Sequence, residues 1–244
     1  MRVRLGSFTF LGALSLLSCS SEPINDANAS GGGNAATGGT GSSMPSACSG
    51  ALRQSLGLVD EVSTRAVSII TDGATERTLY VDASEGDGFP WVYVSLGTGQ
   101  ALALTDIEAL GSKAWDLAFK RFVVRTNSGD SGPGNGGAFR VALAWDKVDA
   151  STLGKQMLPG ESWFDADCNL GLDETMQLIT SFSGWSEYDQ VTHLLTPADV
   201  VYITAGADGA LYKVAILDYY STVAGKHGPI ELGGHYKLRV APLP

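Results

Sequence analysis

The stretch WDLAFKRFVVRTNSGDSGPGNGGA, Trp115 to Ala138, decides how the chain is read. Its first half crowds β-branched and aromatic side chains between Phe119 and Thr126, and its second half is Asn, Ser, Asp, Pro and Gly. Apolar character returns as Phe139-Arg140-Val141-Ala142-Leu143-Ala144-Trp145. The period of two in that run puts Phe139, Val141, Leu143 and Trp145 on one face of a strand. Phe122-Val123-Val124 is apolar on both faces, the pattern of a strand covered on both sides. The expectation is a strand, a long glycine loop and a second strand, forming an apolar hairpin around the loop.

The loop itself reads as a connection between strands. Gly132-Pro133-Gly134-Asn135-Gly136-Gly137 is neither G-x-G-x-x-G nor followed by G-K-[ST]. Strand periodicity follows it, so no helix N-terminus points amides at an anion, and Asp130 adds charge of the wrong sign for phosphate.

Outward from this centre, the start of the chain reads as a targeting segment. Met1 to Ser18 carries Arg2 and Arg4 ahead of the apolar run Phe8 to Leu17, a secretory-signal pattern too short to span a bilayer. Leu16-Leu17-Ser18-Cys19 resembles the bacterial lipobox, which implies lipidation of Cys19; ordinary cleavage leaving a free Cys19 is the alternative. Ser20 rather than Asp follows, so by the same resemblance nothing retains the protein in the inner membrane. The implied location is the outer membrane, on the cell surface or the periplasmic face. Residues 20–47 are Gly, Ser, Asn, Ala and Thr with little to bury, and read as a flexible tether behind Cys19. One domain, residues 48–244, remains.

Removing residues 1–18, which carry two arginines and no acid, takes the formal charge of the 244-residue chain from −10 to −12. That charge gives no general attraction to nucleic acid or anionic lipid, so an anionic ligand would need local contacts. With Cys19 lipidated, Cys48 and Cys168 form an even pair in an exported chain, and a disulfide between them is expected. Closing so long a loop is worth on the order of 4 kcal/mol in the chain-entropy picture.

Further strands are expected at Leu79–Val81 and Trp91–Leu96, separated by the turn-forming Glu85-Gly86-Asp87-Gly88, and a single helical turn at Thr105–Leu110. Leu172, Met176, Ile179 and Phe182 are spaced as the stripe of a short amphipathic helix, and Thr196-Pro197-Ala198-Asp199 reads as a helix start. Val200–Thr204 and Ala210–Leu217 flank Gly206-Ala207-Asp208-Gly209, a strong hairpin signal. In the last run, Tyr236, Leu238 and Val240 should face inward and His235, Lys237 and Arg239 outward into solvent. The fold class is mainly β, a single antiparallel-sheet domain with short helical insertions.

Three blocks of the sequence resemble one known family. WDLAFKRFVVRTNSG (Trp115 to Gly129), VVYITAGADGALYKVAILDYY (Val200 to Tyr220) and YVDAS with WVYVSLGTG (Tyr80 to Ser84, Trp91 to Gly99) are similar to the centre, the C-terminal hairpin and the opening strands of the HmuY family of haem-binding lipoproteins. The resemblance runs from about Tyr80 to Val240. It implies an all-β domain on a lipid anchor, with haem held non-covalently between loops by two axial side chains, His pairs or Met pairs. Haem and iron acquisition, with haem or a haem-carrying protein and an outer-membrane haem transporter as partners, follows from the same resemblance, and no enzymatic role does.

The family's axial residues come from the segment between the T-N-x-G loop and the C-terminal hairpin, which here offers Met157, Met176 and His193. Met157 and His193 fall in loops, where a donor can be presented to iron. Met176 falls on the expected helical stripe, where core packing is its first reading. No matched pair of two histidines or two methionines stands out, and His227 and His235 read as loop and solvated residues. The alternative function is a protein- or glycan-interaction module on the same scaffold, for which Trp163, Phe164, Trp185 and Tyr188 could supply an aromatic surface or else be buried over the sheet. Asp165-Ala166-Asp167 begins like a calcium loop, but glycine comes one place late and Met176 stands where the closing Glu belongs, so a polar turn is expected. There is no G-x-S-x-G and no C-x-x-C-H.

Overall fold

The computed structural model describes Cys48, residues 56–174 and residues 176–244. The expected signal segment, Cys19 and the tether lie outside the described residues. The strands are β1 (Val67–Asp72), β2 (Arg77–Asp82), β3 (Val92–Ser95), β4 (Gln100–Leu102), β5 (Leu117–Lys120) and β6 (Val123–Thr126) in the first half. The second half adds β7 (Gly137–Val141), β8 (Ser186–Tyr188), β9 (Leu195–Pro197), β10 (Val201–Ala205), β11 (Leu211–Asp218) and β12 (His235–Pro242). They form a six-stranded sheet ordered β1-β2-β12-β11-β10-β7, a four-stranded sheet ordered β4-β3-β5-β6, and the small pair β8-β9. All the named pairings are antiparallel, so the mainly β expectation holds.

The two larger sheets enclose the main core. Leu79 and Val81 of β2 and Tyr236, Leu238 and Val240 of β12 meet Val92 and Val94 of β3, Leu117 and Phe119 of β5 and Val124 of β6. The rings of Phe119 and Tyr236 touch across the gap, centroids 5.2 Å apart. The inward set of β12 is as expected, but His235 is not solvated. Its side chain is 15% exposed, and its Nδ1 lies 2.6 Å from the Tyr80 hydroxyl across the β2–β12 pair.

The central run departs from expectation in two ways. Phe119 to Thr126 is not one strand, because the chain reverses at Arg121-Phe122 and Lys120 pairs with Val123. No Gly, Pro or Asn marks that turn, and Arg121 adopts φ 50°. Its backbone groups are met from outside: Arg121 N–H donates to Ala83 O, Tyr236 Oη to Arg121 O at 2.7 Å, and Trp185 Nε1 to Phe122 O at 2.9 Å. Tertiary hydrogen bonds thus stabilise a turn that local preference does not encode.

Secondly, β6 and β7 belong to different sheets, so the glycine loop crosses from one sheet to the other and closes no hairpin. The crossing is tight. Asn127 donates to the carbonyls of Ser112 and Trp115 and accepts from Gly134 N–H, and a Cβ at Gly136 would lie 2.6 Å from Asn127 O. The strand that follows also ends early, at Val141: Leu143 is exposed and Trp145 begins a 3₁₀ turn.

Asp106–Ala109 is the expected helical turn, closed by a capping box in which Thr105 and Glu108 exchange hydrogen bonds. The helix expected over 172–182 does not form. Asp173 takes the Gln177 N–H on its carboxylate, Met176 turns at φ 63°, and Leu172 bridges Leu178 in extended geometry. An Asp side chain that bonds nearby amides offers the backbone an alternative to helix, and here the alternative wins. Thr196-Pro197 starts no helix either; it ends β9, paired with β8 only, where a strand lacking one N–H is tolerated.

Asp116 joins the halves of the sandwich. Its Oδ2 accepts from Leu96 N–H at 2.7 Å and its Oδ1 from Ala207 N–H at 2.8 Å. Asp116→Asn turns one of these oxygens into a donor facing a donor, an expected loss of about 1–3 kcal/mol. Burial outweighs those bonds and holds the Asp116 carboxyl above its ordinary value. The native state therefore binds this proton more readily than the unfolded chain, and Asp116 contributes most below its unfolded value, losing that contribution as pH rises through the folded one. Urea titrations at pH 4 and pH 7 should show the larger penalty for Asp116→Asn at pH 4; a larger penalty at pH 7 contradicts the sign.

Candidate functional site

The irregular segment 161–188 lies against the β5–β6 hairpin and opens two adjoining clefts there. The first, about 380 Å³, is walled by Trp91, Lys120, Phe122, Leu172 and Met176. The second, about 410 Å³, is walled by Val124, Trp185, Ser186, Tyr188 and Leu195. Phe122, Val123, Gln177 and Leu178 line both, so the β5–β6 turn and the 177–178 backbone form a common partition.

Three attachments position the outer wall. Cys48 and Cys168 are joined by the expected disulfide across 120 residues, just ahead of Leu170 and Leu172. Asp130 accepts from Trp163 N–H at 2.6 Å and Phe164 N–H at 3.2 Å. Glu161, 3% exposed, accepts from Thr126 N–H and Ser181 N–H, and from Trp163 Nε1, Thr126 Oγ1 and Ser181 Oγ. Gly129 is what lets the T-N-S-G loop meet this clamp: at φ 49°, any Cβ there would collide with the Glu161 carbonyl.

The proposed donors separate. Met176 lines the first cleft and is 75% exposed, so it is not the core residue that helical spacing suggested. His193, at φ 58°, holds the Tyr188 hydroxyl 2.6 Å from its Nδ1, and Tyr188 lines the second cleft. Nε2 could ligate a metal only in the tautomer in which Nδ1–H donates to the Tyr188 oxygen, and His193 itself lines neither cleft. Met157 is 84% exposed and lines neither cleft. Of the four aromatic candidates, Trp163 and Trp185 are buried, Phe164 is half-buried and Tyr188 is exposed. Asp165 Oδ1 accepts from Asp167 N–H and Asn169 N–H, which makes the polar turn expected beside the disulfide.

Sequence reasoning passed over Lys120 and Trp91. Lys120 is 6% exposed, with Nζ 5.3 Å from the Trp91 ring centre and 3.5 Å from Gly57 O. Burial lowers its pKa, with Arg125 adding to the effect and Asp106 opposing it. Arg125 itself is fully buried over the Trp91 and Trp115 rings, with Tyr93 Oη taking one N–H. A lysine inside an apolar strand run was the available signal, since such a group is buried only where something can meet its charge.

A family profile described as HmuY protein matches residues 89–233. Among solved structures, the chain is similar to a protein described as an HmuY-like heme binding protein from Bacteroides vulgatus ATCC 8482, at 20% identity, covering 74% of this chain and 97% of that one, TM-score 0.43. It is similar to the apo HmuY analog of Tannerella forsythia at 18% identity, covering 76% and 100%, TM-score 0.41. It is also similar to a protein described as a lipoprotein from Bacteroides fragilis NCTC 9343 at 19% identity, covering 70% and 93%, TM-score 0.45. No curated protein matches the chain.

Proposed function

The chain belongs to the HmuY family, and from that premise we propose that it is a non-enzymatic, lipid-anchored protein that binds haem non-covalently for haem and iron acquisition. The observation that carries the reading is Met176, a thioether presented in the wall of an apolar cleft by a turn with left-handed backbone. The fit is chemical as well as spatial. Haem offers a flat apolar ring and an iron that accepts soft thioether or imidazole donors, and the adjoining clefts, about 380 and 410 Å³, fall in the size range of cofactor sites.

In this reading Met176 is the first axial donor, and the ring packs on Phe122, Val123 and Leu178. Neither His193 nor Met157 lines a cleft, so of the three candidates Met176 is the one that a ring in the first cleft could meet. Cys19 carries the lipid and residues 20–47 tether the domain to the outer membrane, where a transporter would receive the haem. Among the described residues no helix is long and apolar enough to cross a membrane.

Titration of the purified protein with haemin at micromolar concentration should produce a protein-dependent Soret shift. Met176→Ala should abolish or displace that band and Met157→Ala should leave it unchanged. No shift in the unsubstituted protein removes the haem reading and leaves the interaction module; an unchanged band in Met176→Ala removes the ligand assignment alone.

A further inference from the structure

We infer that the first cleft selects a ligand bearing a carboxylate, with the Lys120 ammonium as its counter-ion. Lys120 projects from the end of β5 into the wall that Trp91 and Met176 share. It is 6% exposed, yet among the described residues the one hydrogen bond of its ammonium, to Gly57 O, is 3.5 Å long. Among the described residues no acidic side chain forms an ion pair with it.

The charges around it do not supply the missing partner. Asp106 is buried, with its oxygens occupied by Val59 N–H, Trp91 N–H and the Tyr93 hydroxyl. Asp87 is exposed in the loop that borders the cleft, and Arg125 adds like charge. Trp91 Nε1 is a second donor in the same wall, buried and without a hydrogen-bond partner among the described residues. A buried ammonium with a weak acceptor is costly, and a ligand oxygen is what would offset that cost. In a chain of net charge −10, attraction of an anion must be local, and this is a place where it can be. One ammonium beside two aspartates suits a monoanion such as a carboxylate better than a phosphate dianion.

The inference deepens the haem reading and rests on it for a porphyrin-sized ligand, but not for the iron. Metal-free protoporphyrin IX and its dimethyl ester separate the two questions, with binding followed by tryptophan quenching. The acid should bind about tenfold more tightly than the ester, as expected for a desolvated charge-assisted contact. Lys120→Met should bring the two within about twofold, and Lys120→Arg should keep most of the preference. Equal binding of acid and ester to the unsubstituted protein overturns the inference, as does binding of neither, or a preference that survives in Lys120→Met. Lys120→Met should also raise the Tm of the ligand-free protein, because it keeps the apolar stem and removes an under-partnered charge; a lowered Tm makes the ammonium a structural group and overturns the inference. Acid preference without a haemin Soret shift sinks the iron reading alone, and a Soret shift without acid preference sinks this one alone.

Discussion

Glu161→Ala is expected to lower unfolding stability by about 3–5 kcal/mol, the cost of leaving several buried donors without an acceptor. The carboxylate accepts from Thr126 N–H at 2.8 Å, Ser181 N–H at 3.0 Å and Trp163 Nε1 at 3.2 Å, besides the hydroxyls of Thr126 and Ser181. The two hydroxyls can rotate to new partners, whereas the two backbone amides and the indole cannot. The same carboxylate ties the end of β6 to the stretch that follows Gln177 and Leu178, so the variant should also weaken ligand binding. Urea denaturation with intrinsic tryptophan fluorescence measures the first effect and porphyrin titration the second. A loss below about 1 kcal/mol would mean that water replaces the carboxylate, and that the outer wall does not depend on it.

Replacing both Cys48 and Cys168 by serine should cost about 4–5 kcal/mol, from the conformational freedom an unfolded chain regains when a 120-residue link is cut. The loss has a local side. Cys168 sits in the Asp165–Asn169 turn, immediately before the residues that wall the first cleft. The serine variant should therefore bind porphyrin less tightly even under conditions where it is fully folded. Unchanged affinity with reduced stability would confine the disulfide's role to the unfolded chain. Unchanged stability would mean that the unfolded chain is already compact between these positions.

Legibility followed how locally each feature is determined. The β10–β11 hairpin was readable because Asp208-Gly209 encodes its own turn, with Gly209 at φ 87°. The inward set of β12 was readable because one face is buried in the core and the other is only half-buried, so the two kinds of residue alternate. The reversal at Arg121-Phe122 was not, since Ala83, Tyr236 and Trp185 hold it and all lie far away in sequence. The assignment of β2 and β3, or β6 and β7, to different sheets was equally hidden: a strand's pattern says which face is covered, not by which sheet. At 172–182 a helical spacing of apolar residues was real but irrelevant, because Asp173 imposed a turn. The site divided the same way. Met176 is legible only through the resemblance, since its spacing points to the core, and Lys120 is not legible because its meaning depends on Trp91 and Gly57, which the fold alone brings to it.

The partition between the clefts has a consequence for how the protein can change. Its Arg121-Phe122 bend is anchored by side chains of the sandwich interior, so it offers an arriving molecule a surface already in shape. The opposite wall, at Leu170, Leu172, Met176 and Gln177, is held by isolated bridges at Leu170 and Leu172 and adds little to the sandwich. Substitutions there should reshape the lining of the first cleft at little cost to folding, as a fixed anvil accepts many different hammers.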